Sequence, residues 1–143
     1  MDTIPIAGRL NVIRDCVNAL RELRPLTYDE FAREHVLVTS AERDFQIAIQ
    51  AALDIGSIIL ADQQVMVPDR YSDIFPALAE IGVLPADLAQ KLVGMAKFRN
   101  VLVHLYLEVD LKRVYRYLQE NLGDFETYAR YVGEWLQMHA AED

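Results

Sequence analysis

The sequence predicts an all-α protein, an antiparallel bundle of four main helices with short helices between them. Apolar residues recur at steps of three and four along nearly the whole chain, the spacing that lines one face of a helix. No stretch alternates apolar and polar residues with the period of two that a half-buried strand requires. A length of 143 residues, with no internal repeat and no linker-like stretch, sets one helical domain over residues 1–143.

Leu10, Ile13, Cys16, Val17, Leu20 and Leu23 share one face of an amphipathic first helix, which must stop before Pro25. A short helical turn follows Thr27. Thr39 or Ser40 is the expected N-cap of the next long helix, with Glu42 and Asp44 in the first turn, where carboxylates favour the helix dipole. That helix is expected to run to Asp62, and Pro68 and Asp69 mark the loop after it. Ser72 is the expected cap of a short helix over residues 73–81, whose Pro76 falls in the first turn, where a missing N–H costs little. Gly82 and Pro85 end it, and a further helix covers residues 86–107. Asp110 caps the last one. There Leu111, Val114, Tyr115, Leu118, Leu122, Phe125, Tyr128, Val132 and Leu136 hold their phase across Gly123, predicting a single long helix.

Composition excludes several classes. The chain is 52% hydrophobic and 25% charged, which rules out a disordered segment. A net charge of −8 argues against a general nucleic-acid coat, whose affinity rests on neutralising phosphates. Cys16 stands alone, so no internal disulfide forms; it reads as a small buried hydrophobe, and no Cys/His spacing points to a metal site. The first residues lack the basic start and apolar run of a secretory signal. The most apolar segment, residues 45–60, is interrupted by Gln46, Gln50, Asp54 and Ser57, which argues against a membrane span. A cytoplasmic protein is expected.

The chemistry is concentrated in Phe98-Arg99-Asn100-Val101-Leu102-Val103-His104-Leu105-Tyr106. On a helix, Arg99 and Tyr106 fall two turns apart in one line, and Asn100 and His104 form an adjacent i,i+4 pair. Phe98, Val101, Leu102 and Leu105 fill the opposite arc. A guanidinium, an amide, an imidazole and a phenol thus share one patch, which suits phosphodiester chemistry. Arg presents a permanent charge and a forked donor to phosphate oxygens. Neutral His can take a proton from a ribose 2′-hydroxyl or return one to a leaving 5′-oxygen. The alternative is a surface arginine, a satisfied histidine and an interfacial tyrosine.

Charge is uneven. Residues 91–116 carry +4, from Lys91, Lys97, Arg99, Lys112, Arg113 and Arg116 against Glu108 and Asp110, while the other 117 residues carry −12. Such an island attracts an anionic substrate, or merely solvates the outer face of the last helix. Gln46, Gln50, Asp54 and Ser57 form a polar stripe on an otherwise apolar helix. It is either a solvent-facing edge or a cleft wall from which Asp54 supports Arg99 or raises the His104 pKa. Tyr115, Tyr128 and Tyr131, at helical spacing, read as packing residues, as does Trp135. His35 and His139 lack a partner motif.

The run from Arg99 to Tyr106 matches R-x4-H-x-Y, and the chain resembles the HepT-like branch of the HEPN superfamily. Asp54-Ile55, the stretch from Phe75 through Ile81-Gly82-Val83-Leu84-Pro85, Val109-Asp110, Val114-Tyr115 and Asp124-Phe125 extend the likeness over about residues 9–137. The resemblance implies the toxin half of a prokaryotic toxin–antitoxin module, an all-α homodimer with a composite cleft. It implies metal-independent RNA cleavage by 2′-hydroxyl attack, with Arg99 and His104 in the active site and Asn100 assisting. It also implies an MNT-type nucleotidyltransferase antitoxin as partner, which uses ATP and Mg²⁺ to place AMP on the motif tyrosine, here Tyr106. Leu92, Met95 and Val103 fall on the same helix side as Arg99 and Tyr106, an apolar border expected to meet a second subunit across a two-fold axis. The competing expectation is a non-catalytic HEPN module that binds nucleotide or protein and regulates a partner nucleotidyltransferase; a weaker one is a helical adaptor.

Overall fold

The computed structural model describes residues 1–103 and 110–140. Helix α1 spans Ile4–Arg21, α2 Tyr28–Ala32 and α3 His35–Asp62. After a 3₁₀ turn at Tyr71–Asp73 come α4 (Ile74–Glu80), α5 (Ala86–Val103), α6 (Leu111–Glu120) and α7 (Leu122–Ala140). There is no strand among the described residues. The 28 residues of α3, about 42 Å of helix, form the axis of the bundle, packed by α1, α2, α4, α5 and α6. Arg9 of α1 meets Asp54 of α3, while Cys16, further along α1, meets Asp44, so the two helices run antiparallel. In the same way, Arg21 pairs with Glu126 at one end of α1, and Ala7 lies with Leu136 at the other; α7 therefore opposes α1. The all-α antiparallel bundle read from the periodicity is the observed fold.

Local chemistry sets the ends. Thr27 and Glu30 form a reciprocal capping box at α2, at 3.2 and 2.9 Å. Asp110 Oδ1 accepts from the Lys112 N–H at 3.1 Å and caps α6 as expected. Gly82, at φ +85°, supplies the left-handed turn after α4.

Three expectations fail. The long helix starts at His35, not after Thr39 or Ser40; Glu34 occupies the N-cap position, and the Thr39 hydroxyl bonds back to the carbonyls of His35 and Val36. The N-cap position of α4 is taken by Asp73, not Ser72, and Pro76 does lie in its first turn. The C-terminal stripe is two helices, broken at Asn121 rather than carried through Gly123. Asn121 Nδ2 donates to Asp124 Oδ2 at 3.2 Å, and the Asn121 carbonyl accepts from the Asp124 N–H. Val114, Leu118, Leu122, Phe125, Tyr128 and Val132 are all buried on both sides of that break.

Helix α3 is long and apolar enough, by length and composition alone, to cross a membrane. Its apolar side chains, from Phe45 through Ala48, Ile49, Leu53 and Ile55 to Leu60, are instead the centre of the protein's own core. At Gly56 a methyl group would sit 2.6 Å from Ile74 Cγ2, so glycine permits the close approach of α4. Tyr128, fully buried, donates its hydroxyl to the Ala52 carbonyl at 2.7 Å. Cys16 is buried, and burial, followed by the charges of Asp44 and Asp15, pushes its thiol up to about 11.

Candidate functional site

Phe98 sets the rotation of α5. Its ring is fully buried, stacked on Tyr117 at 4.1 Å and edge-on to Phe45 at 5.6 Å. With Phe98 and Leu102 fixed inward, Arg99 is turned onto the polar stripe of α3. Val101, expected on the apolar arc, is 37% exposed, so the buried arc is narrower than the sequence implied.

Arg99 Nη2 donates to Gln50 Oε1 at 2.6 Å. Gln50 Nε2 donates to Asp54 Oδ1 at 2.8 Å, and Arg9 Nε reaches Asp54 Oδ2 at 3.4 Å. A chain of four side chains from three helices results: Arg9, Asp54, Gln50, Arg99. Arg99 Nη1 also makes a long contact, 3.4 Å, to Asn100 Oδ1, and the guanidinium carbon lies 4.9 Å from the centre of the Tyr71 ring. Arg99 Nε is buried and has no hydrogen-bond partner among the described residues. A cavity of about 340 Å³ is lined by Arg9, Gln46, Gln50, Asp54 and Arg99, with Val12, Ile47 and Ala51 supplying its apolar wall.

The polar stripe borders this cavity along Gln46, Gln50 and Asp54, whereas Ser57 is not among its lining residues. Asp54 does share the cavity with Arg99, but it does not hold Arg99 directly. Gln50 stands between them, and the arginine that pairs with Asp54 is Arg9. Arg99 and Asn100 come together as expected. His104 and Tyr106 lie outside the described residues, as does the side chain of Val103. The apolar border expected from Leu92 and Met95 is absent: both are buried in the protein's own core, because α5 is covered on that side by its own neighbours. Of the basic island, Arg113 lies 5.5 Å from the Phe98 ring centre, whereas Lys91, Lys97, Lys112 and Arg116 are exposed.

Gln50 was visible as a member of the stripe but had no mark setting it apart from Gln46. Arg9 and Tyr71 carried no signal, since each reaches the site from a distant part of the chain. A larger cavity, about 730 Å³, lies elsewhere, between the start of α3 and the start of α6. It mixes Arg33, His35 and Lys112 with Glu42 and Asp110 and contains none of the residues around Arg99. No cluster of three or more His, Cys, Asp or Glu that can hold a metal ion occurs among the described residues.

The sequence model of one family, Ribonuclease HepT-like, matches residues 13–132. The chain is 28% identical over 123 residues to the mRNA nuclease HepT of Shewanella oneidensis, covering 86% of this chain and 92% of that protein. It is 24% identical over 136 residues to the tRNA nuclease HepT of Aphanizomenon flos-aquae, covering 95% of this chain and 92% of that one. Among solved structures, the tri-AMPylated Shewanella oneidensis HEPN toxin in complex with its MNT antitoxin superimposes with a TM-score of 0.84 at 26% identity, covering 94% of this chain and 99% of the toxin.

Proposed function

The chain belongs to the Ribonuclease HepT-like family, and from that premise we propose that it is the toxin ribonuclease of a toxin–antitoxin pair, cutting RNA at a site built on Arg99, His104 and Asn100. The observation that carries the site is the Arg99 guanidinium, oriented by Gln50 at the edge of an open cavity with one buried N–H left over. A buried unpartnered donor is costly, and a phosphate oxygen is a fitting acceptor for it.

In the reaction, His104 takes the proton from a ribose 2′-hydroxyl as that oxygen bonds to the adjacent phosphorus. The bond from phosphorus to the 5′-oxygen breaks, and the leaving oxygen takes up a proton. The products are a 2′,3′-cyclic phosphate end and a 5′-hydroxyl end. Arg99 stabilises the charge that builds on the phosphate oxygens. Asn100 uses its oxygen on Arg99 and keeps its amide N–H groups for the substrate or the imidazole. No metal ion takes part in this route.

The neutralising partner is an MNT-domain nucleotidyltransferase antitoxin, as in the Shewanella complex. It transfers AMP from ATP, with Mg²⁺, to the Tyr106 oxygen and releases pyrophosphate. The added phosphate repels the substrate's own phosphate and occupies space beside the motif. The toxin acts as a cytoplasmic homodimer.

Arg99→Ala and His104→Ala, assayed on RNA with EDTA present and in growth tests, decide the reading. Both variants are expected to keep wild-type helicity and to lose cleavage and toxicity. A fully toxic His104→Ala protein refutes the assigned chemistry. Intact-mass analysis after co-expression with the nucleotidyltransferase is expected to show AMP additions mapping to Tyr106.

A further inference from the structure

Arg9 has no place in the chemistry just described, yet it opens onto the same cavity as Arg99. Its Nε is on Asp54 and its Nη1 donates to the Pro5 carbonyl at 3.1 Å; its Nη2 bonds nothing among the described residues. Both oxygens of Asp54 are engaged, one by Gln50 and one by Arg9. Among the described residues, two guanidinium groups stand against one carboxylate on the cavity wall, in a chain of net charge −8. The Gln46 amide, also on the wall, takes part in no hydrogen bond among the described residues. It offers both donors and an acceptor beside the apolar face of Val12 and Ile47.

A site of about 340 Å³ that combines a spare cationic donor, a free amide and an apolar wall matches one nucleotide unit: a phosphate, a base edge and a base face. We propose that this cavity is a nucleotide subsite next to the reacting phosphate, in which Arg9 binds a neighbouring phosphate of the RNA chain and Gln46 contacts the base. This rests on the ribonuclease reading and adds to it the residues that hold and select the substrate. Arg9 fixes the chain without reading its sequence, and Gln46 discriminates among bases.

The test uses fluorescein-labelled 2′-O-methyl pentanucleotides of A, C, G and U, which lack the attacking hydroxyl, titrated by anisotropy at several salt concentrations. Wild-type cleavage of unmodified total RNA is measured in parallel. Arg9→Gln, which keeps an amide for Asp54, is expected to weaken all four probes about tenfold and to reduce the slope of log affinity against log salt by about 0.7. Gln46→Ala, which removes a side chain with no hydrogen bond among the described residues, is expected to keep the salt slope and change the order of preference among the four probes. If wild type cleaves RNA while Arg9→Gln binds with unchanged affinity and slope, or Gln46→Ala keeps the wild-type order, the subsite is overturned and the ribonuclease reading stands. A wild type that cleaves no RNA overturns both. A shift of Arg9→Gln from dimer to monomer in sedimentation, with probe affinity unchanged, assigns the cavity to a second copy of the chain and also overturns the proposal.

Discussion

Gln50 accepts a hydrogen bond from Arg99 at 2.6 Å across the gap between two helices, and it does so without a charge of its own. A carboxylate in the same place would orient the guanidinium equally well but would neutralise it. A neutral amide, itself fixed by Asp54, aims the arginine and leaves its charge for the substrate. Arg9 answers the charge of Asp54 at the far end of the chain.

Gln50→Ala is expected to lower kcat/KM for RNA cleavage by ten- to a hundredfold, corresponding to about 1.5–3 kcal/mol for a hydrogen bond to a charged group. Gln50→Glu is expected to be at least as damaging, because it pairs Arg99 and sets a second carboxylate one turn from Asp54. Steady-state kinetics with circular dichroism separate this from unfolding, and a Gln50→Glu enzyme with wild-type kcat/KM contradicts it.

Tyr71 faces the Arg99 guanidinium at 4.9 Å, a contact of about 0.5–2 kcal/mol. Tyr71→Ala is expected to reduce cleavage several-fold, whereas Tyr71→Phe keeps the ring face and most of the activity. Equal losses in both variants indicate that the hydroxyl, rather than the ring, matters.

Gly56→Ala forces a methyl group against Ile74 and Leu78, at 2.6 and 3.1 Å, where α4 crosses α3. The expected cost is about 1–3 kcal/mol in urea or guanidinium unfolding, with the denaturant slope unchanged. A midpoint equal to wild type shows that α4 moves aside freely.

Burial and the charges of Asp44 and Asp15 push the Cys16 thiol up to about 11 from an ordinary value near 9. The neutral thiol is favoured in the folded state, so the thiolate is scarce at pH 7–8 and grows only as pH rises toward 11. Alkylation by iodoacetamide is expected to be slow at pH 8 in the folded protein and fast in urea. Rapid labelling of the native protein at pH 8 contradicts the burial of this group.

Where apolar spacing met a local punctuation mark, the sequence was legible. The short helix after Thr27, the Asp110 cap, the turn at Gly82 and the end of α3 at Asp62 all depend on groups a few residues apart. The start of α3 and the break at Asn121 were not legible. Helix continued past Thr39 toward the N-terminus because Thr39 turned its hydroxyl to a carbonyl instead of capping. Across Asn121 the stripe keeps its phase although the helix does not, because α6 buries its face against α2 and α3 while α7 buries its face against α1 and α5. Periodicity reports which face is inward, not whether one cylinder or two carries it.

The sequence by itself determined the helical class, the family and the presence of a polar stripe on the second long helix, since each is written in residues close along the chain. Only the tertiary structure decided that Gln50 aims Arg99, that Arg9 rather than Arg99 pairs with Asp54, and that Tyr71 faces the guanidinium. Those partners lie tens of residues apart, and their meeting depends on how α1 and α5 rotate as their apolar faces settle against α3. That rotation is set by the collective packing of rings such as Phe98, Phe45 and Tyr117, which no local pattern encodes.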